Sequence, residues 1–170
     1  MIQSLVKLSR MESGIIAVHS EDTTIKQMLE SIQQQFNVKV REKNITLSLC
    51  DTDLHVRCDS KWTVEALGNI VDNAIKYTAC GGNVQIKVEQ YSFFVKIDII
   101  DDGIGIEKEE IPKIFGRFYR SLSVADQPGV GIGLFLAREI IQAQKGYIKV
   151  TSKRGKGSTF SVFLPIAKKE

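Results

Sequence analysis

Two pairs of alternating strands constrain the fold more than any other feature of the sequence. NVQIKVEQ (83–90) and FFVKIDIID (93–101) alternate apolar and polar residues and lie two residues apart, which predicts a β-hairpin. YIKVTSK (147–153) and STFSVFLP (158–165) repeat the alternation around a turn at 154–157. Because such strands have one apolar face, the sheet they form needs a covering layer.

Helical spacing of apolar residues marks the segments that can cover the sheet. Residues 20–40 repeat apolar side chains every three or four positions, and the helix is predicted to open at Ser20, Glu21 and Asp22. The same spacing appears in three further segments: 1–12, 60–78 and 134–145. Two short runs, ITLSLC (45–50) and HVRC (55–58), are predicted to form a small pair of strands.

Composition excludes several classes of function. The net charge of +3 is spread along 170 residues rather than gathered in a basic stripe, which argues against nucleic-acid binding. Cys50, Cys58 and Cys80 are odd in number and lack CxxC spacing, so they indicate neither a disulfide framework nor a zinc site. No apolar run approaches the roughly 18 residues that cross a bilayer. The sequence therefore predicts one globular domain of a reducing compartment.

The helix predicted at 60–78 carries a polar column opposite its apolar stripe. Asn69, Asn73 and Lys76 fall at positions i, i+4 and i+7, so two carboxamides and one ammonium share a face. A solvated helix face has the same residue types. Taken alone, the column therefore favours a plain solvated surface over a ligand site, because polar helix faces are common.

Two glycine motifs stand at the ends of predicted elements. In DDGIGI (101–106), a carboxylate at a strand end can accept a hydrogen bond from an exocyclic amine such as that of adenine. GVGIGL (129–134) precedes a helix, whose free N–H groups favour phosphates. Neither a GxGxxG dinucleotide motif nor a Walker A loop occurs. Taken singly, a capped turn and a flexible surface loop explain these motifs as well.

Together, four segments resemble the ATP-binding catalytic domain of sensor histidine kinases, in the GHKL superfamily. The N, G1, F and G2 boxes of that family are matched in order by NIVDNAIKYT (69–78), DDGIGI (101–106), IFGRFYR (114–120) and GVGIGL (129–134). The resemblance runs from about residue 20 to Pro165. LVKLSRMESG (5–14) is similar to the family's link from the second dimerisation helix.

The resemblance implies a fold and a division of the chain. The implied fold is a two-layer α/β sandwich, the Bergerat ATP-binding fold, with a mixed sheet of about five strands covered on one face by three helices. Residues 1–14 would end the second dimerisation helix and its linker. Residues 15–170 would form the catalytic kinase domain.

ATP and Mg²⁺ are the cofactors that the resemblance implies. Asn73 would give its side-chain oxygen to Mg²⁺, a hard ion that prefers oxygen ligands, with Asn69 beside it. Lys76 would face the phosphates. Tyr77 would stack on adenine, and Asp101 would accept a hydrogen bond from its amino group. Asn69 and Lys76, with Arg120, would be the catalytic residues.

A lid over the triphosphate is also implied, spanning residues from about 121 to 130. Arg117 and Arg120 are candidate phosphate contacts, with Arg120 the better placed by position. Phe115 and Phe118 would anchor the lid in apolar surface. Gly103 and Gly105 would give clearance for the flat base. Gly129, Gly131 and Gly133 would let the lid fold, and these glycines and Leu134 would also contact the cofactor.

The position four residues before Asn73 separates a kinase from a hydrolase. Hydrolysing relatives place a glutamate there as a general base, whereas this chain has Asn69, which cannot take a proton. Phosphoryl transfer to a protein side chain is therefore favoured over hydrolysis. An anti-sigma-factor type serine kinase and a non-catalytic ATP-binding regulatory module remain as alternatives.

The sequence lacks the phosphoacceptor that the resemblance calls for. The family's acceptor lies in a His-Glu/Asp-x-x-Thr/Asn-Pro motif, and neither His19 nor His55 has that context. We therefore expect a catalytic fragment that transfers the γ-phosphate of ATP to a histidine of a separate dimerisation domain, for relay to a response regulator. The fragment would be a monomeric cytoplasmic domain, and its full-length parent a homodimer in the cell membrane.

Overall fold

The computed structural model describes residues 2–13 and 17–167. The helices within these residues are α1 (Ile2–Glu12), α2 (Ile25–Glu42), α3 (Ser60–Tyr77) and α4 (Gly133–Ala143). The strands are β1 (Glu21–Thr24), β2 (Thr46–Leu49), β3 (His55–Cys58), β4 (Asn83–Gln90), β5 (Phe94–Asp101), β6 (Tyr147–Lys153) and β7 (Gly157–Pro165). Single 3-10 turns at Ile111–Lys113 and Leu122–Val124 lie in the long connection between β5 and α4.

Five strands form one mixed sheet in the order β2-β4-β5-β7-β6. β2 runs parallel to β4, with Leu47 opposite Val84, and the other three pairings are antiparallel. Ile97 in β5 lies opposite Val88 in β4 and Val162 in β7. Both predicted hairpins and the mixed five-stranded sheet are therefore confirmed.

The core lies between one face of this sheet and α2, α3 and α4. Ile97 and Ile99 point into it and Asp98 points away, as the alternation predicts. The largest fully buried side chains come from both layers: Ile25, Met28, Ile32, Leu67, Ile70, Ile86, Ile97, Ile99, Ile132, Leu136, Ile140 and Ile141. Each contributes about 1.5 to 3 kcal/mol by leaving water. This burial confirms the two-layer α/β sandwich with three covering helices.

Two predicted elements differ from the structure. Residues 21–24, predicted to open a helix, form strand β1, and α2 begins only at Ile25. β1 pairs antiparallel with β3 in a separate two-stranded sheet, where Thr23 lies opposite Val56. The predicted pairing of 45–50 with 55–58 is therefore wrong. β2 reaches its partner β4 only after the chain has crossed over through α3, which local alternation cannot reveal.

The N-terminal helix forms as its spacing predicts. α1 contacts the rest of the domain through Lys7, whose Nζ lies 2.8 Å from Glu65 Oε1 in α3. Gly14, the last residue of the predicted link, lies outside the described residues. Within the described ranges, no helix combines the length and apolarity needed to span a membrane.

Candidate functional site

A cavity of about 870 Å³ opens between α3, the loop after β5 and the segment that leads into α4. This volume lies in the range of small-molecule sites. Its wall contains the following predicted site residues: Asn69, Asn73, Lys76, Tyr77, Asp101, Gly105, Arg120, Gly129, Gly131, Gly133 and Leu134. Gly103 and Arg117 do not line it. Four separate stretches of sequence thus meet at one place.

Helix α3 presents its polar face to the cavity because of the way the helix is capped and packed. Asp59 caps its first turn by accepting a hydrogen bond from the Trp62 backbone N–H at 3.1 Å. The apolar stripe packs into the core, so the opposite column faces the cavity. Asn69 Nδ2 is buried there with no hydrogen-bond partner among the described residues. A buried amide without a partner costs about 1 to 3 kcal/mol, so a polar ligand at this wall would remove a penalty.

Lys76 lies against the glycine-rich segment before α4. Its Nζ donates to the backbone carbonyl of Pro128 and lies 5.1 Å from the centre of the Tyr77 ring. A Cβ on Gly129 would stand 3.0 Å from the same nitrogen, and Gly129 has φ of +151°. The loop therefore approaches the ammonium closely because a side chain is missing at this position.

Asp101 ends β5 and is nearly buried, with 9% of its surface exposed. Its Oδ1 accepts hydrogen bonds from the backbone N–H groups of Gly103 at 2.9 Å and Ser158 at 3.3 Å. Burial raises the pKa of this carboxyl, and the two backbone hydrogen bonds partly oppose the rise. Because both bonds go to Oδ1, Oδ2 is the oxygen left to accept from a ligand amine.

Asp102, the neighbouring carboxylate, has a different role. It is exposed and binds Asn83, accepting from its backbone N–H and from its side-chain Nδ2, both at 2.8 Å. These hydrogen bonds lower the pKa of Asp102. Asp102 does not line the cavity. Of the acidic pair in the motif, only Asp101 can read a ligand.

The glycines of the DDGIGI motif are required by the protein's own packing. A Cβ on Gly103 would lie 2.6 Å from the Tyr77 carbonyl oxygen, and one on Gly105 would lie 2.1 Å from that of Lys153. Gly157 is equally constrained, since its Cβ would approach the Asp101 carbonyl oxygen to 1.9 Å. Clearance for a flat ligand therefore stays a prediction, and close backbone packing is a second cause for these residues.

The lid segment is attached through Arg120. One guanidinium nitrogen donates to the backbone carbonyls of Val124, at 2.9 Å, and of Gln127. Leu122, at the tip, is 92% exposed. Gly131, at the far end of the segment, has φ of +76° and packs against the Tyr119 carbonyl. Arg120 thus faces the cavity and holds the lid by its backbone.

The aromatic residues before the lid divide into a buried and an exposed one. Phe115 packs against the core, with its ring centre 6.4 Å from that of Phe160. Phe118, predicted to anchor the lid in apolar surface, is 54% exposed and has φ of +61°. Arg117 stacks over Phe135 at 4.9 Å, outside the cavity wall. Only Phe115 has the packing that the prediction requires.

Two parts of the wall were missed by sequence reasoning. Ser158 is 7% exposed and orients Asp101, and its only sequence signal is its place after Gly157 in the β6–β7 turn. The C-terminal half of α2 contributes Lys39 and Glu42, and its C-cap residue, Lys43, also lines the cavity. These three carry no signal, because amphipathic spacing predicts an exposed face without saying what lies opposite.

Comparison with known proteins places this cavity in a family. Residues 58–168, from the last residue of β3 to just beyond β7, match the family described as histidine kinase-, DNA gyrase B-, and HSP90-like ATPase. The chain belongs to this ATPase family. The matched residues contain all four boxes that surround the cavity, so the site and the family domain coincide.

Similar proteins place the domain among histidine kinases. The sensor histidine kinase WalK of Bacillus subtilis is 34% identical over 170 residues, which cover 97% of this chain and 28% of WalK. The catalytic domain of histidine kinase ThkA has a TM-score of 0.76 at 26% identity, covering 87% of this chain and 96% of that one. ThkA in complex with the response regulator protein TrrA has a TM-score of 0.73 at 23% identity, covering 98% and 49%. This family domain therefore corresponds to the ATP-binding catalytic part of a histidine kinase. The chain spans about a quarter of the length of WalK.

Proposed function

We propose that this domain binds ATP with Mg²⁺ and transfers the γ-phosphate to a histidine on a dimerisation domain. One observation carries the proposal: Asp101, Lys76 and Asn73, suited to an adenine amine, a phosphate and a hard cation, line a single cavity. Residues 1–14 are proposed to end the second dimerisation helix and residues 15–170 to be the catalytic domain. The full-length protein is proposed to be a homodimer in the cell membrane, and this fragment a monomer.

Base recognition rests on Asp101 and its surroundings. Its Oδ1 is fixed by two backbone N–H groups, so the free Oδ2 has a defined direction. A buried carboxylate is a strong acceptor for an exocyclic amine and repels a carbonyl oxygen. The site should therefore choose adenine over guanine. Tyr77, at the same wall, is proposed to stack on the base.

Phosphate binding is assigned to Lys76 and Arg120. Both donate to backbone carbonyl oxygens of the segment 124–128, so both already point at oxygen acceptors beside the cavity. Phosphate oxygens are stronger acceptors than carbonyls because they carry charge. The N-terminus of α4, which begins at Gly133, adds free N–H groups and a favourable dipole. These groups are proposed to hold the triphosphate and to neutralise charge during transfer.

The polar column of α3 fits a magnesium ion. Asn73 offers a carboxamide oxygen, the ligand type that a hard ion prefers, and the orphaned Asn69 amide beside it can bind a phosphate oxygen or a metal-bound water. Held by Asn73, Mg²⁺ would supply positive charge that neutralises the phosphates during transfer. Asn69 cannot act as a general base, which favours transfer to a side chain over activation of water.

The acceptor is proposed to be a histidine of the dimerisation domain. Its neutral imidazole nitrogen attacks the γ-phosphorus, a nitrogen–phosphorus bond forms, the bond to the bridging β-phosphate oxygen breaks, and ADP leaves. His19 and His55 are both exposed and lie outside the cavity wall. The complex of ThkA with a response regulator supports relay to such a partner.

The test is to incubate the domain with radiolabelled ATP and Mg²⁺, with and without a dimerisation domain that carries the acceptor. We expect label on the partner's histidine that is lost in acid and kept in base, and no label on the domain alone. Asn73→Ala should weaken metal-dependent binding and abolish the label. An acid-stable label would indicate a serine kinase, rapid phosphate release an ATPase, and binding without transfer a regulatory module.

A further inference from the structure

One wall of the cavity comes from α2, outside the residues that match the family. Lys39, Glu42 and Lys43 line it, whereas the matched region starts at residue 58. Lys43 has a structural task, because its Nζ caps α3 by donating to the carbonyls of Ile75, at 2.9 Å, and Lys76, at 2.7 Å. Lys39 has no backbone to cap and contacts a side chain of α3 instead.

The side chain that Lys39 contacts is Asp72, with Lys39 Nζ 2.5 Å from its Oδ1. Asp72 follows Asn69 by three residues and precedes Lys76 by four, so it lies beside the polar column that faces the cavity. It lines the same cavity as Asn73. It is thus a full negative charge next to the carboxamide proposed to bind the metal.

The pair carries opposite charges at the place where a dication and a polyanion are proposed to bind together. Mg²⁺ keeps several of its waters when it binds to a protein. Carboxylates that accept hydrogen bonds from a metal's ligands typically change metal affinity by about 10- to 100-fold. A cation beside such a carboxylate, here Lys39, lowers the metal affinity and favours binding of the negatively charged phosphates. Asp72 and Lys39 therefore act on metal and nucleotide with opposite signs.

We propose that Asp72, positioned by Lys39, sets the metal dependence of nucleotide binding at this site. Asp72 would favour Mg²⁺ through its negative charge beside Asn73, and Lys39 would limit this effect by pairing with the carboxylate. The inference rests on the proposed function, since it concerns the metal and nucleotide of the same cavity. Asp72 is a positioning residue for the hydrated metal and does not touch the reacting phosphate.

The experiment is a calorimetric titration of ADP into the domain, in excess EDTA and in saturating Mg²⁺. The readout is the dissociation constant in EDTA divided by the dissociation constant in Mg²⁺. Asp72→Asn should lower the ratio about tenfold, by weakening binding with Mg²⁺ and tightening it in EDTA. Lys39→Met should raise the ratio, because it leaves the carboxylate unpaired. Both side chains are substantially exposed, at 43% and 58%, so both variants should fold, which circular dichroism checks.

Lys26 and Asp51 provide a matched control. They form a similar exposed pair at 3.0 Å, also with its lysine on α2, and neither residue lines the cavity. Lys26→Met and Asp51→Asn should leave the ratio unchanged. The inference is overturned if Asp72→Asn changes the ratio less than twofold, or if both cavity variants move it in the same direction. A wild-type domain that binds ADP equally with and without Mg²⁺ would instead contradict the proposed metal site itself.

Discussion

Asp101 is placed where binding and stability make opposite demands on a carboxylate. Burial raises its pKa, so the charged form is disfavoured in the folded protein. A carboxyl whose folded pKa lies above its unfolded pKa lowers stability as pH rises through these values. Asp101→Asn should therefore raise the melting temperature at neutral pH while weakening ADP binding by about 1.5 to 3 kcal/mol, roughly 10- to 100-fold.

Asp102 is the natural control for that variant. Hydrogen bonds from Asn83 lower its pKa, so this carboxylate stabilises the fold above its unfolded pKa and the benefit is lost as pH falls through the folded value. Asp102→Asn should lower the melting temperature and leave ADP affinity unchanged. Calorimetry and thermal melts at pH 7 measure both effects. Equal affinity of the wild type for GTP and ATP would refute the assignment of Asp101 to adenine.

Some residues of the site could be predicted from neighbouring sequence, and others could not. Asp101 and Asn73 could be predicted because each belongs to a short motif whose spacing is tied to one helix or one strand end. Ser158 and Lys39 could not, because each reaches the cavity through strand pairing or helix packing between distant segments. The clash that requires glycine at 157 is likewise visible only after β7 lies beside Asp101.

At the scale of elements, a buried glutamine joins two helices. Gln144, after the end of α4, is 3% exposed and accepts from the Asp59 backbone N–H at 2.6 Å. It also exchanges hydrogen bonds with Thr63 in α3. Gln144→Leu removes the partner of the half-buried Asp59 N–H and of the buried Thr63 hydroxyl, which costs about 1 to 3 kcal/mol. A domain of this size should then melt roughly 2 to 12 °C lower.

Gln142 tests whether that loss belongs to the buried position. It lies in the last turn of α4 and is exposed. Gln142→Leu should change the melting temperature by no more than about 2 °C. Equal losses for both leucine variants would show that helix content, rather than the link between α3 and α4, accounts for the effect.

The lid is the element whose motion the proposed function requires. The segment from 121 to 130 buries little apolar surface. It is attached by hydrogen bonds from Arg120 and Lys76 to its carbonyls and from Arg154 to the Ser123 hydroxyl. We expect its amides to exchange quickly without nucleotide and to slow when ATP and Mg²⁺ order the segment through phosphate contacts. Hydrogen exchange followed by mass spectrometry measures this, with the β4–β5 hairpin as internal reference. Slow exchange that nucleotide does not alter would contradict a closing lid.

Elements were predictable where their contacts lie close together in sequence. Both hairpins and α3 follow from spacing alone, because each strand meets its neighbour across a tight turn. β1 was missed because Glu21 and Asp22 favour a helix start, whereas pairing with β3 decides the conformation. β2 was given the wrong partner for the same reason: tertiary pairing overrides local pattern.

At the scale of the whole molecule, the order of strands determined how much could be predicted. Composition and alternation indicate a sheet with one covered face, and the resemblance supplied the number of layers. The strand order is not encoded in any local pattern, because β7 inserts between β5 and β6 rather than at an edge. The cavity depends on that insertion, since β7 brings Ser158 to Asp101.

The central place of β7 also delays folding while the protein is being made. A ribosome releases the chain N-terminus first, at about 5 to 20 residues per second. Until Gly157–Pro165 has left the exit tunnel, β6 has no partner in the sheet and β5 has one open edge. Until then, the nascent chain exposes apolar residues of an incomplete sheet, and chaperones bind surfaces of this kind. Its assembly is therefore expected to be a single late event rather than growth strand by strand.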